Sequence, residues 1–498
     1  MQDWIAPDPV GLHAQARPEK TALVDLATGR RWTYRALDEA IGKACGALDA
    51  LGLRPGDRLA AIARNSADLA IALKACLRSG VIFTPLNWRL APAELDAILA
   101  DCTPALILTD GAAVGFTPPE GAGVLEVGAF AARCEAAEPA PRGPARDAGE
   151  PCVILYTSGT SGTPKGVILT PQTLFFTGVN FGVLGHVTSD SVFLAESPMF
   201  HVIGLVTSFW PPLLQGGTVL VSPGFDPATT NSRLADRSLG ITHYFCVPQM
   251  AAALREADGF APESWSLKAL FTGGGPNPPA NIRWWLDRGV AMVDGYGMTE
   301  AGTILGMPLD PALISAHAGA VGQAGPATAI RIVDAEERDV PDGTAGEIIV
   351  KGPHVTPGYW NRPTERASAF TPDGWLRTGD IAVRDAQGFV TIVDRRKDMF
   401  ISGGENVYPA EVEFALTEHP GVSAAAVLGV PDTRWGEVGH AFVILEPGFE
   451  ASGDDLKAHC EKRLARFKVP KTFQIVDALP RTATGKIRKN RLRESLVP

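Results

Sequence analysis

Residues 156–167 read Tyr-Thr-Ser-Gly-Thr-Ser-Gly-Thr-Pro-Lys-Gly-Val, directly after the apolar run Val153, Ile154 and Leu155. No other feature constrains the fold as much, because a buried strand that empties into a small hydroxyl-rich loop belongs to a sheet with a binding edge. Gly159, Gly162 and Gly166 permit positive φ and let backbone N–H groups converge on an anion. Thr157, Ser158, Thr160, Ser161 and Thr163 add hydroxyl donors, Lys165 adds a charge suited to phosphate, and Pro164 limits collapse of the empty loop. A Walker loop needs Gly-Lys-Ser/Thr, but here Pro164 precedes Lys165 and Gly166 follows it. The dinucleotide fingerprint G-x-G-x-x-G is also missing. A flexible linker is the bland alternative, yet linkers rarely carry one Lys between Pro and Gly just after a buried strand. The stretch therefore reads as a cradle for the phosphates of ATP.

A chain of 498 residues is too long for one ordinary core and implies two or three domains. Upstream, residues 58–63 read as a strand, Ser66 as an N-cap, and Leu69, Leu73, Cys76 and Leu77 as one helix face ending at Gly80. Residues 81–84 give the next strand, Pro92 opens a helix that buries Leu95, Ile98 and Leu99, and residues 105–109 form another strand. This alternation predicts an α/β fold with parallel or mixed sheets flanked by helices. Residues 111–150, rich in Ala, Gly, Pro and Glu, are expected to be a surface excursion. The net charge of −10 argues against binding nucleic acid or an anionic membrane. The seven scattered cysteines lack any C-x-x-C pair and read as reduced packing residues. The first residues show no secretory signal, and the apolar tract 201–221 is broken by Pro211-Pro212 and Gly216-Gly217, so no transmembrane segment and a cytoplasmic location are expected.

Further motifs follow. Gly273-Gly274-Gly275-Pro276 is at least a tight turn, and its small residues would let a flat base approach the backbone. In Gly295-Tyr296-Gly297-Met298-Thr299-Glu300 the ring suits stacking on adenine, the hydroxyl suits a phosphate, and the Glu300 carboxylate suits Mg²⁺; a strand end with a surface Glu is the alternative. Asp380 can accept two hydrogen bonds from a ribose diol, although Thr378-Gly379-Asp380 is also a common turn. Residues 394–398, Asp-Arg-Arg-Lys-Asp, read as a solvated charged turn, His201 as a packed imidazole, and residues 480–486 as the start of a basic, mobile tail.

Together and in this order, these segments resemble the adenylate-forming (AMP-binding) superfamily, with Ser161 replacing the usual Thr and Gly275 the usual Ala. Residues 402–409 look most like single-chain fatty-acyl and aryl-CoA ligases. The resemblance implies that Thr157, Ser158, Gly159, Thr160, Ser161, Gly162 and Lys165 hold ATP phosphates, and that Gly274, Gly275 and Tyr296 hold adenine. It further implies that Asp380 and Arg395 hold ribose, that Thr299 meets the α-phosphate, and that Glu300 binds Mg²⁺. His201 would line the pocket near the acid's carboxylate, Lys486 would be the catalytic lysine, and Lys397 the pivot. Ser402, Gly403 and Gly404 would face the site when coenzyme A reacts. The implied division is a large N-terminal domain (1–393), a hinge (394–398) and a small α/β domain (399–498). The implied reaction joins a carboxylic acid to AMP with release of pyrophosphate, then transfers the acyl group to coenzyme A. The segments 202–210, 245–250 and 273–298 hold no Lys, and their arginines are Arg283, on a surface helix, and Arg288 beyond it, which favours an apolar fatty or aromatic monocarboxylic acid over a dicarboxylate. Alternatives are an acyl-AMP ligase serving a carrier protein and a nucleotide-binding regulator. Oligomeric state is left open, with a homodimer as one option.

Overall fold

The computed structural model describes residues 6–141, 147–157, 164–275, 277–395, 398–402, 405–464, 466–481 and 487–496, without the side chains of residues 395, 405 and 406. A six-stranded sheet runs in the order Gly123–Glu126, Leu106–Thr109, Arg58–Ile62, Ile82–Pro85, Val153–Thr157, Lys165–Leu169. It is parallel until the last strand, which turns back on Val153–Thr157 so that Thr157 lies opposite Lys165. The helices follow from their caps. Ser66 Oγ accepts from the Leu69 N–H at 3.2 Å to start Ala67–Ser79, and Gly80 ends that helix at φ 73°.

A nine-stranded sheet packs beside it, with parallel strands Thr21–Asp25, Thr218–Val221, Val192–Ala195, His243–Cys246, Ala269–Thr272 and Met292–Met298 at its centre. Antiparallel strands extend both edges, Arg31–Thr33 on one side and Gly302–Gly306 with Gln323–Ala324 on the other. The four antiparallel strands Ala329–Val333, Gly346–Lys351, Leu376–Arg384 and Val390–Arg395 form a third sheet. After residue 398 a new five-stranded sheet begins with Phe400–Ser402, and its core of Phe400, Val412, Leu416, Val427 and Val443 draws only on this part of the chain. Helices Pro409–Thr417 and Gly453–Glu461 cover it.

Three details depart from expectation. Residues 111–150 contribute the edge strand Gly123–Glu126 and the helix Val127–Ala136, whose Phe130 and Cys134 are buried against the core. The Ala-rich composition there belongs to a packed helix, so the segment is only in part an excursion. The sequence from Leu456 to Phe467 reads as a helix, but the helix spans Gly453–Glu461, starting earlier at the Ser452–Asp455 capping box. Gly166 lies within a strand and needs no positive φ; it is required for space, since a Cβ there would sit 2.7 Å from Ile154 Cγ2. The seven cysteines are buried and free. Among the described residues no helix is long and apolar enough to cross a membrane.

Candidate active site

The C-terminal ends of the parallel strands in the nine-stranded sheet open into a cavity of about 470 Å³. Open α/β sheets bind ligands at this edge, where loops diverge and backbone groups are unpaired. Thr157 and Lys165, from the hairpin of the six-stranded sheet, line one end together with Thr299, Glu300 and Tyr359. The segment around Tyr359 is strapped to that hairpin: Trp360 N–H donates to Gly166 O at 2.7 Å, and Thr356 Oγ1 to Ile168 O at 2.6 Å. The strap aims the Tyr359 hydroxyl at Glu300, donating to Oε1 at 3.1 Å, and sets the Lys165 ammonium 5.7 Å from the Tyr359 ring centre. Burial beside Glu300 pushes the Tyr359 hydroxyl well above its ordinary pKa, so it stays a donor.

Tyr296 and Gly274 line the same cavity, and Gly274 adopts φ 78°, a conformation costly for any other residue. The Tyr296 hydroxyl donates to Asp380 Oδ2 at 2.6 Å, which links the nine-stranded sheet to the third sheet. Asp380 lies opposite Arg395 in the ladder of Leu376–Arg384 and Val390–Arg395, so the two residues expected at the ribose are neighbours. Arg377 and Thr378 complete this wall.

The other end is apolar. Phe181, Phe245 and Phe271 form a cluster with ring centres 5.0 to 6.5 Å apart, joined in the lining by Val202, Ile203, Val293, Leu305 and Met307. Thr272 and Asp294, paired on adjacent parallel strands, also line the cavity, and their side chains share the sheet face of Tyr296, opposite to Phe271 and Val293.

His201 neighbours Val202 and Ile203 but does not itself line the cavity. Burial, with the Arg89 charge nearby, depresses its imidazole to about 4, so it is neutral near pH 7 and cannot serve as a cation for the acid. Gly275 and Ser402 are also absent from the lining, and Ser402 is buried in the C-terminal sheet. Ser158, Gly159, Thr160, Ser161, Gly162, Lys397, Gly403, Gly404 and Lys486 lie outside the described residues. Tyr359, Arg377 and Asp294 were not singled out from the sequence. Asp294 had a readable signal in its place two residues before Tyr296 on the same strand face.

Glu300 offers a carboxylate inside the cavity, while no cluster of three or more His, Cys, Asp or Glu among the described residues could cage a metal. That donor set fits Mg²⁺ held mainly by nucleotide phosphates, with Glu300 as its protein ligand.

The "AMP-binding enzyme" family model matches residues 12–360, and the "AMP-binding enzyme C-terminal domain" model matches 411–486. A feruloyl-CoA synthase of Amycolatopsis sp is 40% identical, and the match covers 96% of each chain. An indoleacetate–CoA ligase of Aromatoleum aromaticum is 36% identical over 99% of this chain and 98% of its own. The structure of ATP-bound MatB from Rhodopseudomonas palustris superposes with a TM-score of 0.88 at 31% identity, covering 98% of both chains. The o-succinylbenzoate CoA synthetase of Bacillus subtilis in complex with its acyl-adenylate intermediate gives 0.86 at 31%, again over 98% of both. The chain therefore belongs to the AMP-binding enzyme family and is an AMP-forming acid–thiol ligase that works with ATP, Mg²⁺ and coenzyme A.

Proposed function

We propose that this ligase activates an apolar monocarboxylic acid, and that an aromatic ring fits its cavity better than a long alkyl chain. The observation that carries this reading is the composition of the acid-facing end. Three phenylalanines and aliphatic side chains surround it, and the lining cations among the described residues, Lys165 and Arg377, belong to the nucleotide side. A second carboxylate would be buried among these apolar side chains with no lining cation beside it among the described residues, so dicarboxylates are disfavoured. The names of the feruloyl-CoA and indoleacetate relatives agree with an aromatic acid.

Joining a carboxylate to the α-phosphate of ATP brings two anions together, so the barrier is partly electrostatic. Lys165 and the Thr299 hydroxyl lower it from the protein side, and the proposed Lys486 completes the cationic frame. Mg²⁺, when bound at Glu300, shields phosphate charge. In-line attack then yields acyl-AMP and pyrophosphate. Tyr296 and Gly274 hold the base, and Asp380 with Arg395 holds the ribose. Because the mixed anhydride is labile in water, closure is needed for this half and reopening for coenzyme A. The proposed solution is a turn of the 399–498 domain about Lys397, which withdraws Lys486 and brings the side bearing Ser402, Gly403 and Gly404 towards the acyl carbon. The proposed setting is the cytoplasm. A panel of cinnamic, indole-acetic, fatty and dicarboxylic acids, compared by kcat/KM for AMP release with coenzyme A, tests the substrate class. Highest values are expected for aromatic monocarboxylates, and strong preference for a dicarboxylate would overturn the reading.

A further inference from the structure

Asp101 stands in the last turn of helix Pro92–Cys102, outside the cavity lining, and both of its carboxylate oxygens are used. Oδ2 accepts from the Tyr156 hydroxyl at 2.6 Å, and Oδ1 pairs with Arg362 Nη2 at 3.0 Å. Its main-chain carbonyl accepts from Asn361 Nδ2 at 3.3 Å. The Asp101 and Arg362 side chains are 15% and 27% exposed, so water screens this pair less than an ordinary surface pair. Burial, then Cys102 and Asp101, hold the Tyr156 hydroxyl well above its ordinary pKa and keep it a donor.

The helix itself has no use for this carboxylate. Its carbonyl end carries partial negative charge, which an acidic side chain in the last turn makes worse. Arg58 serves that end instead, donating from Nε to Cys102 O at 2.7 Å and from Nη2 to Thr103 O at 2.6 Å. A residue that opposes its own helix is explained by what it holds elsewhere. Tyr156 lies opposite Gly166 in the hairpin ladder, next to the pair Thr157 and Lys165. Gly166 O in turn receives the Trp360 N–H, and Arg362 follows two residues later. Asp101, Tyr156, Gly166, Trp360 and Arg362 thus close a ring of contacts, and Tyr359, whose hydroxyl meets Glu300, is the strap residue beside it. The main-chain bonds tie the strap as far as Trp360, and Asp101 fixes the end beyond it. Arg362 has a second carboxylate, Glu365 Oε1 at 3.8 Å, so loss of Asp101 leaves the guanidinium a partner and the fold intact.

We propose that Asp101 is a positioning residue for the adenylation half-reaction: by locking the strap that carries Tyr359 to the hairpin that carries Thr157 and Lys165, it sets how tightly Glu300 holds Mg²⁺. The inference rests on the reading of Glu300 as the protein ligand of the metal and goes beyond it, since Asp101 touches neither metal nor nucleotide. Removing a group that orients a metal ligand weakens metal binding by about ten- to a hundredfold. Asp101 acts one contact further out, and a smaller effect of about fivefold is expected.

The test measures the Mg²⁺ concentration for half-maximal pyrophosphate release, at saturating ATP and aromatic acid, in the wild type, Asp101→Asn, Tyr359→Phe and the double variant. Asp101→Asn keeps an acceptor for Tyr156 but loses the charge that holds Arg362. It should raise that concentration about fivefold and leave KM for the acid within about twofold of wild type. Arg362→Gln, which opens the same ring from the other side, should do the same. Because Asp101 acts through Tyr359, the double variant should match Tyr359→Phe within about twofold, whereas independent effects would multiply. An unchanged Mg²⁺ dependence in Asp101→Asn, a drop in melting temperature alone, or multiplied effects in the double variant overturns the proposal. Arg362→Gln decides if Asp101→Asn fails to fold. Glu300→Gln separates the two readings. If it leaves the Mg²⁺ dependence unchanged, the metal-ligand reading falls and the proposal with it, whereas a shift there with none in Asp101→Asn overturns only the role of Asp101.

Discussion

The Tyr359 hydroxyl and the Glu300 carboxylate form a pair in which one residue was legible in the sequence and the other was not. Glu300, Thr299 and Tyr296 sit in one short segment with a recognisable chemical order, so the roles proposed for them could be read before their positions were known. Tyr359 reaches them only because Gly166 O and Ile168 O anchor the strap 356–360, a contact between segments nearly 200 residues apart that has no local signature. Asp294 left only a faint signal, its place two residues before Tyr296, because within a strand a single acidic residue reads as the polar member of an alternation. At this scale the Glu300 pairing makes a prediction. Tyr359→Phe removes the hydrogen bond that orients Glu300, and the Mg²⁺ concentration for half-maximal pyrophosphate release should rise about tenfold. An unchanged Mg²⁺ dependence would separate Tyr359 from metal binding. Glu300→Gln should slow the adenylation step by about a hundredfold or more, read by single-turnover kinetics, since it removes the carboxylate proposed to hold Mg²⁺ against the phosphates.

At the scale of elements, helix Ala67–Ser79 shows what pattern can and cannot reveal. Its N-cap, its glycine stop and its buried face followed from spacing. Its one buried cation did not. Lys74 is 7% exposed, with Nζ 3.3 Å from the centre of the Trp210 ring on helix Trp210–Gln215 and no hydrogen-bond partner among the described residues. Burial depresses its pKa to about 7. A cation over an indole recovers about 2 kcal/mol when desolvated, less than the several kcal/mol that burying an ammonium costs. Lys74→Met should therefore hold or raise the melting temperature, and a clear drop would show that the pair stabilises the fold. The strand Lys165–Leu169 yields the opposite expectation. Gly166→Ala places a methyl against Ile154 and near Trp360, and a loss of about 1–3 kcal/mol by thermal unfolding is expected. Stability within about 0.5 kcal/mol of wild type would mean that the hairpin has room to give.

For the whole molecule, the alternation of strands and helices announced parallel sheets, but it could not say that there would be two large ones meeting at the hairpin of Thr157 and Lys165. Sheet order depends on contacts distant in sequence, and the edge strand Gly123–Glu126 disappeared into a segment whose composition looked like a loop. The assembled interior also sets the response to acid. Burial depresses His201, His243 and His354 to about 4 from an ordinary 6.5. Each favours the unfolded chain once that chain binds a proton, so their contribution is complete above pH 6.5 and is lost as pH falls towards 4. Asp294, raised to about 6, and Glu196, also raised by burial, act in the other direction but are two carboxyls against three imidazoles. The melting temperature should fall between pH 6.5 and 4.5, and a flat profile would contradict this. The proposed division of labour between domains predicts that Lys486→Ala abolishes acyl-AMP formation yet largely spares thioester formation from supplied acyl-AMP; equal loss in both halves would refute it. All of this presupposes that one cavity brings an organic acid to the α-phosphate of ATP. The most direct measurement is exchange of labelled pyrophosphate into ATP with Mg²⁺ and aromatic monocarboxylic acids, in the absence of coenzyme A. Exchange that depends on the acid and needs no thiol is the predicted result, and its absence across the whole set of acids would contradict the account.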